Sequence, residues 1–182
     1  MGDERFRLFC ALQLPDETRA ALTAWQERHL SAGRIVPPAN LHVTLAFLGS
    51  RPAGEVGAIT RELAEAAAAA RPARFRTVRY RETRSVGMIV LEDVGGAATA
   101  LADDLGARLE GIGVYRREGR PWLAHVTVLR FKERPRLAPP VPELGEFDAV
   151  RSALYRSALG RASAGYGGAR YDVLESVALG GR

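Results

Sequence analysis

One short phrase, His-Val-Thr followed by an aliphatic residue, occurs twice in this chain of 182 residues. The first copy is HVTL at 42–45 and the second is HVTV at 125–128, each inside an apolar run that reads as a strand. The chain has only three histidines, and the third is His29. A lone histidine in a strand is usually structural, but two copies of one phrase favour a shared functional role.

The surroundings of the two phrases are also alike, since each follows a predicted strand and then a predicted helix. The distance from Phe6 to His42 is 36 residues, and that from Val86 to His125 is 39 residues. This spacing predicts an internal duplication of about half the chain, with a site where the halves meet.

Hydrophobic periodicity and Gly or Pro breaks predict an order of strands and helices along the whole chain. The predicted strands are 5–14, 41–48, 73–82, 86–93, 122–131, 145–158 and 169–179. The predicted helices are one that begins at Pro15-Asp16 and ends at Gly33, and two at 55–70 and 97–110. The Pro-rich stretch 135–142 is expected to be a linker or an exposed loop, and GRASAGYGG at 160–168 a flexible connection.

Strand geometry places the polar groups of each phrase together. Residues i and i+2 of a strand point to the same face, so His42 and Thr44 project together, as do His125 and Thr127. Two imidazoles suit general acid–base chemistry, because both protonation states exist near neutral pH. Threonine hydroxyls donate hydrogen bonds to phosphoryl oxygens, where fixed donors stabilise developing negative charge. If the two halves face each other, the four groups suit the opening of a phosphodiester.

Other chemistries have less support in the sequence. Histidine binds zinc, but there is no Cys cluster, no H-E-x-x-H and no third histidine at ligand spacing; His29 is expected to pack or to lie at the surface. A nucleophilic Ser or Thr needs an adjacent base and an orienting carboxylate, which no motif marks. No phosphate-binding loop or G-x-G-x-x-G opens a helix after a strand. We therefore expect no metal and no cofactor.

The charge of the chain is consistent with an anionic partner. The net charge is +5, and Lys132 is the only lysine, so the excess is arginine, whose guanidinium matches phosphate oxygens. Compositional bias is an alternative explanation, because Ala, Arg, Gly and Pro are abundant together. One cysteine, Cys10, is predicted to be a core residue, and neither a leader pattern nor a membrane span is recognisable. These features predict a cytoplasmic, globular protein with no membrane contact.

The two phrases and their flanks resemble the two-histidine phosphoesterase superfamily, and within it the bacterial and archaeal RNA 2′,3′-cyclic phosphodiesterases, or LigT-type 2′-5′ RNA ligases. RLFCALQLP resembles the opening strand of that family, VPPANLHVTLAFLG its first motif, and HVTVLRF its second motif with the following arginine. ALYRSALG and GARYDVLESVAL resemble its last two strands, so the likeness covers essentially the whole chain. Two departures, Ala124 where proline is common and Cys10 where an aromatic or aliphatic residue is usual, involve none of the four polar groups.

The resemblance implies an α+β fold, in which residues 1–182 form a single bilobal, duplicated domain with two antiparallel sheets facing across a central cleft and helices on the outside. It implies hydrolysis of RNA 2′,3′-cyclic phosphate ends to 2′-phosphomonoesters without metal, with reversible 2′-5′ ligation in some members. In that family the first histidine is the proton donor to the leaving 3′ oxygen, and the second is the proton acceptor that activates water. These roles fall on His42 and His125, and phosphate binding falls on Thr44, Thr127 and Arg130.

Arg130 is the one residue of this set whose direction is in question. Strand parity puts it on the face opposite the two polar groups of its own phrase, unless a bulge turns the strand back. On that opposite face it would be a solvated surface arginine.

Two other functions stay open at this point. A non-catalytic module that binds RNA ends would use the same four groups as ligands, with steep salt dependence and no product. A phosphodiesterase for a small cyclic nucleotide would keep the chemistry and change the substrate. The expected partner is therefore an RNA or nucleotide with a 2′,3′-cyclic phosphate end, the chain is expected to be a monomer, and no protein partner is implied. Trp122, Phe47 and Phe9 are candidates to stack on the base, although aromatic residues in strands are more often core.

Overall fold

The computed structural model describes residues 4–159 and 168–180 as nine strands and three α-helices. The helices are α1 (Asp16–His29), α2 (Val56–Ala69) and α3 (Ala97–Gly111). The strands are β1 (Arg5–Gln13), β2 (Arg34–Ile35), β3 (His42–Pro52), β4 (Ala73–Glu82), β5 (Val86–Val94), β6 (His125–Arg130), β7 (Phe147–Ala149), β8 (Arg151–Leu159) and β9 (Ala169–Ala178). Short 3₁₀ turns at Pro38–Asn40 and Ala53–Glu55 precede β3 and α2.

The predicted elements form, with differences at a few of their ends. The strand predicted at 122–131 begins only at His125, and the indole N–H of Trp122 before it donates to the Thr44 carbonyl oxygen, 3.0 Å away. The strand predicted at 145–158 is divided into β7 and β8, which pair with different neighbours, β4 and β1. The stretch predicted to be flexible lies largely outside the described residues. No helix in the described ranges is long and apolar enough to cross a membrane.

The described strands lie in one antiparallel ladder, and this ladder sets the position of every candidate site residue. The order is β7-β4-β5-β6-β3-β1-β8-β9, with β2 beside β6. The resemblance implied two sheets, but the ladder is continuous because β3 pairs with β6. Helix α2 packs against α3, β8 and β9, and α3 also contacts β3, β4 and β5. Cys10 belongs to the core, as predicted, and its burial raises the thiol pKa to about 12.

Helix α3 illustrates how local sequence forms these elements. The spacing of Leu101, Leu105 and Leu109 predicts one apolar face, and all three side chains are buried. The Asp93 carboxylate accepts hydrogen bonds from the backbone N–H groups of Ala98 and Thr99, at 3.2 and 2.7 Å. These N–H groups have no partner within the helix, so the carboxylate satisfies them and fixes where α3 begins.

The Pro-rich stretch is a loop without helix or strand, as predicted, and a buried carboxylate holds its beginning. Glu82 at the end of β4 accepts hydrogen bonds from the Tyr80 hydroxyl, the Arg134 guanidinium and the backbone N–H groups of Arg136 and Leu137, at 2.8 to 3.1 Å. Its side chain is only 2% exposed. Burial by itself would raise the pKa of Glu82, but the four donors together lower it below 4.5.

Glu82→Gln is expected to destabilise the fold by about 1–3 kcal/mol at pH 7, because the amide cannot accept all four hydrogen bonds. Since the folded-state pKa of Glu82 is lowered, its stabilisation is present above pH 4.5 and is lost as the pH falls through the folded pKa. Urea unfolding of both proteins across this range measures the difference. Glu92→Gln on β5, whose carboxylate is exposed and pairs with Arg76, is the control and should change stability little. Equal effects of the two substitutions would show that Glu82 does not hold the loop.

Candidate active site

The two His-Val-Thr phrases lie side by side at the centre of the ladder. Val43 of β3 and Val126 of β6 are antiparallel partners, and both side chains are buried in the core. Side chains next to such a pair point to the other face, so each histidine lies opposite the threonine of the other phrase. The four predicted groups that the structure brings to this face, all partly exposed, are His42, Thr44, His125 and Thr127.

A bulge in β6 brings Arg130 to the same face. The register of β6 with β5 skips Val128, since Thr127 and Leu129 pair with consecutive residues of β5. Val128 and Leu129 are both buried, and Arg130 emerges to line the cavity that Thr127 also lines. Simple strand parity predicts the opposite face for Arg130, and the extra residue in the bulge is the physical reason for the difference.

Strand β3 carries the corresponding bulge. Its register with β1 skips Leu45, which is three residues after the histidine, as the skipped residue of β6 also is. Leu45 and Ala46 are both buried, and Phe47 is 49% exposed. Phe47 therefore has the position in β3 that Arg130 has in β6. The guanidinium of Arg7 lies 4.8 Å above the centre of the Phe47 ring, so a cation is present in this half as well.

Each histidine ring is oriented by the backbone carbonyl two residues before it. Nδ1–H of His42 donates to the Asn40 carbonyl oxygen, and Nδ1–H of His125 donates to the Leu123 carbonyl oxygen, both at 2.8 Å. These bonds select the tautomer in which Nε2 of the neutral ring is an acceptor. The Thr44 hydroxyl donates to Nε2 of His42 over 3.0 Å. Nε2 is therefore the ring nitrogen that can accept a proton in both neutral histidines.

Aromatic rings surround His42 and change its protonation. The nearest ring centroids are those of Phe9 at 4.8 Å, Tyr171 at 5.5 Å and Tyr155 at 6.0 Å. Burial is the main cause that lowers the pKa of His42 from 6.5 to about 4. The hydrogen bond to Asn40 raises this pKa, and the positive charges of His125 and Arg130 lower it. His42 is therefore neutral at pH 7 unless a negative charge binds beside it.

Two adjoining cavities open on this face. The cavity over His42 has a volume of about 760 Å³ and is lined by Arg7, Arg34, Arg130 and Arg170, with no carboxylate among its described lining residues. The cavity beside His125 has a volume of about 660 Å³, and Thr44 and Phe47 line both cavities. Its charged lining residues are Arg81, Asp103, Arg117, Glu118 and Arg120. The His42 cavity in particular suits an anionic ligand.

No metal site is visible in the part of the chain that the structure describes, where no three His, Cys, Asp or Glu side chains form a group that could hold an ion. His29 at the end of α1 is half-buried, its ring centroid lies 6.0 Å from that of Trp25, and it lines neither of the two cavities, in agreement with its predicted place as a packing or surface residue.

Comparison with known proteins decides the family. The family model described as LigT like Phosphoesterase matches residues 12–84. The RNA 2′,3′-cyclic phosphodiesterase of Thermus thermophilus is 34% identical over 186 residues, which covers 96% of this chain and 91% of that protein. The chain belongs to the LigT-like phosphoesterase family.

Two further comparisons agree with this membership. The RNA 2′,3′-cyclic phosphodiesterase of Escherichia coli is 30% identical over 179 residues, covering 95% of this chain and 96% of that protein. The crystal structure of Escherichia coli LigT complexed with 3′-AMP matches with a TM-score of 0.79 and 26% identity, covering 97% of this chain and 99% of that chain. The resemblance inferred from the sequence phrases is thus confirmed, and so is a mixed fold of antiparallel strands and helices.

Sequence reasoning missed the residues that surround His42 in this LigT-like phosphoesterase. Tyr155 and Tyr171 come from β8 and β9, and no pattern near the first phrase points to them. Phe9, considered as a base-stacking residue, is only 3% exposed and stacks on Tyr155 at 4.9 Å. The alternation of β1 was the available signal, because it puts Phe9 on the more polar face of that strand.

The pKa of His42 predicts how the stability of this LigT-like phosphoesterase depends on pH. The group has a pKa of about 4 when folded and 6.5 otherwise, so the unfolded chain binds more protons between these values. The free energy of unfolding should therefore fall as the pH is lowered from 6.5 to 4, by up to about 3 kcal/mol. Urea unfolding measures this loss, which should be absent in His42→Asn. An NMR titration with a His42 midpoint near 6.5 would contradict it.

Proposed function

We propose that the protein is an RNA 2′,3′-cyclic phosphodiesterase, which hydrolyses 2′,3′-cyclic phosphate ends to 2′-phosphomonoesters without a metal ion. The observation that carries this proposal is the register of β3 with β6, since the pairing of Val43 with Val126 gives one face two imidazoles and two hydroxyls. The named activity of the Thermus thermophilus and Escherichia coli relatives, which align with nearly the whole chain, supports the same reaction.

In the proposed mechanism His125 is the proton acceptor and His42 is the proton donor. Nε2 of His125 takes a proton from water as the water oxygen attacks phosphorus. The bond from phosphorus to the 3′ oxygen breaks in line, and protonated His42 gives its Nε2 proton to that oxygen. The phosphate stays on the 2′ oxygen, and exchange with solvent restores the protons of both rings. Each such transfer typically contributes about 10²–10⁴ in rate.

Thr44, Thr127 and Arg130 hold the phosphate in this mechanism. The Thr44 hydroxyl, which donates to Nε2 of His42 in the structure, turns to a phosphate oxygen once that nitrogen carries a proton. Among the described residues, the hydrogen bond of the Arg130 guanidinium is a long one, 3.5 Å to the Tyr171 hydroxyl, so little is lost when it binds an anion instead. Donors already aimed at the reacting phosphate stabilise the charge that develops on its oxygens.

His42 must be protonated to act as a proton donor, and the bound substrate supplies the negative charge that favours the protonated ring. Its pKa of about 4 leaves the ring neutral at pH 7 in the free protein. A cyclic phosphate places one negative charge beside the ring and offsets the positive charge of Arg130, which raises the pKa of His42 in the complex. Substrate binding and protonation of the donor are therefore coupled.

We also propose that residues 1–182 form one two-lobed, internally duplicated domain. Inside the edge strands β7 and β9, the order β4-β5-β6 towards the centre of the ladder is matched by β8-β1-β3 from the other side. A helix follows both β1 and β5. The bulges at Leu45 and Val128 stand at the same distance from their histidines. A pseudo-twofold axis through the pair of Val43 and Val126 relates the two halves and makes the histidines equivalent about one phosphate.

The arginine-rich cavity favours an RNA end over a small cyclic nucleotide as substrate. Its volume of about 760 Å³ accommodates a nucleotide, and its four arginines suit the phosphates of a longer strand. An RNA 5′-hydroxyl in place of water would give a 2′-5′ linkage by the same proton transfers, so reversible ligation is part of the proposal. The one cysteine is buried and free, and we place the enzyme in the reducing cytoplasm.

Incubation with RNA that ends in a 2′,3′-cyclic phosphate should give a 2′-phosphate, identified by chromatography, and EDTA should leave the rate unchanged. His42→Ala and His125→Ala should each lower kcat/KM by about 10²–10⁴ without loss of the fold. His29→Ala, which changes the one other histidine, is the matched control and should be fully active.

Near-normal turnover in either site variant would refute the assignment. Salt-dependent RNA binding without any product would identify a non-catalytic module instead. A parallel assay of a cyclic mononucleotide decides between the two substrate classes, since a preference for it over the RNA would favour the small cyclic nucleotide.

A change of leaving group separates the roles of the two histidines. In a substrate with sulfur at the 3′ bridging position, the leaving thiolate is a much weaker base and needs no proton donor. His42→Ala should regain most of its activity on this substrate, whereas His125→Ala should remain slower than wild type by about 10²–10⁴. The opposite pattern would exchange the assigned roles of His42 and His125.

A further inference from the structure

Gln26 is a buried polar residue that the mechanism above does not use. It lies on the inner face of α1 and is 0% exposed, next to the apolar Leu22 and Trp25 of the same face. Burying an amide is unfavourable unless its polar atoms are paired. Nε2 of Gln26 donates two hydrogen bonds, whereas Oε1 has no partner among the described residues. Gln26 thus acts as a hydrogen-bond donor, and its two acceptors identify the backbone segments that it holds together.

The two acceptors are the backbone carbonyls of Val36 and Val128. Gln26 donates to the Val36 oxygen at 3.0 Å and to the Val128 oxygen at 2.8 Å. The Val36 backbone N–H also donates to the Val128 oxygen, at 3.1 Å. Val128 is the residue that the register of β6 with β5 skips. The bulge is therefore held from α1 and from the chain that follows β2 at the same time.

The bulge at Val128 decides where Arg130 points. Without the extra residue, the alternation of β6 would turn residue 130 towards the core face. With it, Arg130 lines the cavity over His42 and Thr127. Packing against this part of β6 is close, since a Cβ on Gly33 would lie 2.7 Å from the Arg130 carbonyl oxygen. The direction of the guanidinium thus depends on backbone contacts made by the chain from α1 to Val36.

We propose that Gln26 is a positioning residue for the phosphate site: its amide locks the bulge at Val128 and so holds the Arg130 guanidinium towards the bound phosphate. The inference rests on the proposed function, because it takes Arg130 to be a phosphate ligand. Gln26 touches no substrate and acts through the backbone of β6. Without the Gln26 amide, Arg130 keeps its charge but its guanidinium points in another direction. Phosphate affinity then falls, while the two histidines still transfer protons.

Binding of inorganic phosphate to the full chain, measured by calorimetry, tests this without requiring turnover. Arg130→Ala should weaken binding by about ten- to a hundredfold, and Gln26→Met, which keeps the size and removes both donors, by about tenfold. In the Arg130→Ala background, Gln26→Met should have no further effect, because the two residues act as one unit. With cyclic phosphate substrate, Gln26→Met should raise KM, and it should lower kcat by no more than Arg130→Ala does.

Leu22→Val, one turn earlier on α1, is the matched control, since it alters the same buried face without removing a hydrogen bond. It should bind phosphate as the wild type does, at a temperature well below the Tm of every variant. Should Gln26→Met not fold, Gln26→Asn, whose amide is withdrawn by one methylene, is compared in the same two backgrounds.

Three results would overturn the proposal: unchanged phosphate binding in the Gln26 variant, an equal loss in both backgrounds, or unchanged binding in Arg130→Ala. A separate result tests the proposed hydrolysis. If phosphate binding depends on both Arg130 and Gln26 but the wild-type protein turns over no cyclic phosphate, the proposed hydrolysis is refuted and the role of Gln26 is supported.

Discussion

The antiparallel pairing of β3 with β6 is the contact on which the rest of the site depends. The partner pair of Val43 and Val126 joins the two halves of the ladder, and its buried side chains anchor the junction in the core. Neighbouring strands lie about 4.8 Å apart, so a junction at this register brings an imidazole and a hydroxyl from each half together on one face of the ladder. Because the ladder itself holds these strands, the groups are positioned by backbone hydrogen bonds and not by loops.

The bulges that follow the two phrases add a second constraint. In a regular strand every second side chain points to the same face, so Arg130 of β6 would point away from the face that His125 and Thr127 share. Each strand has one extra buried residue, Leu45 in β3 and Val128 in β6, and this residue turns Phe47 and Arg130 to that face. The extra residue disturbs the ladder and leaves backbone groups that need other partners. In β6 the buried amide of Gln26 and the N–H of Val36 supply them.

The two histidines have the same local motif and different surroundings. Both rings are held through Nδ1 by a carbonyl two residues earlier, at the same distance of 2.8 Å. Among the described residues, the stacked rings of Phe9 and Tyr155 lie beside His42, and burial of this imidazole lowers its pKa to about 4, so that it is neutral at pH 7. His125 instead lines a cavity with charges of both signs. The local motif thus orients each ring, and the strands that pack around His42 lower the pKa of that ring.

The sequence by itself determined most of the elements and the four polar groups, because hydrophobic alternation, helical spacing and a repeated phrase are local signals that survive without the fold. It also indicated that His42 and Thr44 share a face, since that follows from strand geometry alone. Only the tertiary structure decided that β3 and β6 are neighbours, that Arg130 joins the site, and that Tyr155, Tyr171 and Gln26 support it. Register, bulges and the burial of a ring depend on contacts between residues far apart in the chain, and no local pattern encodes which of these contacts form.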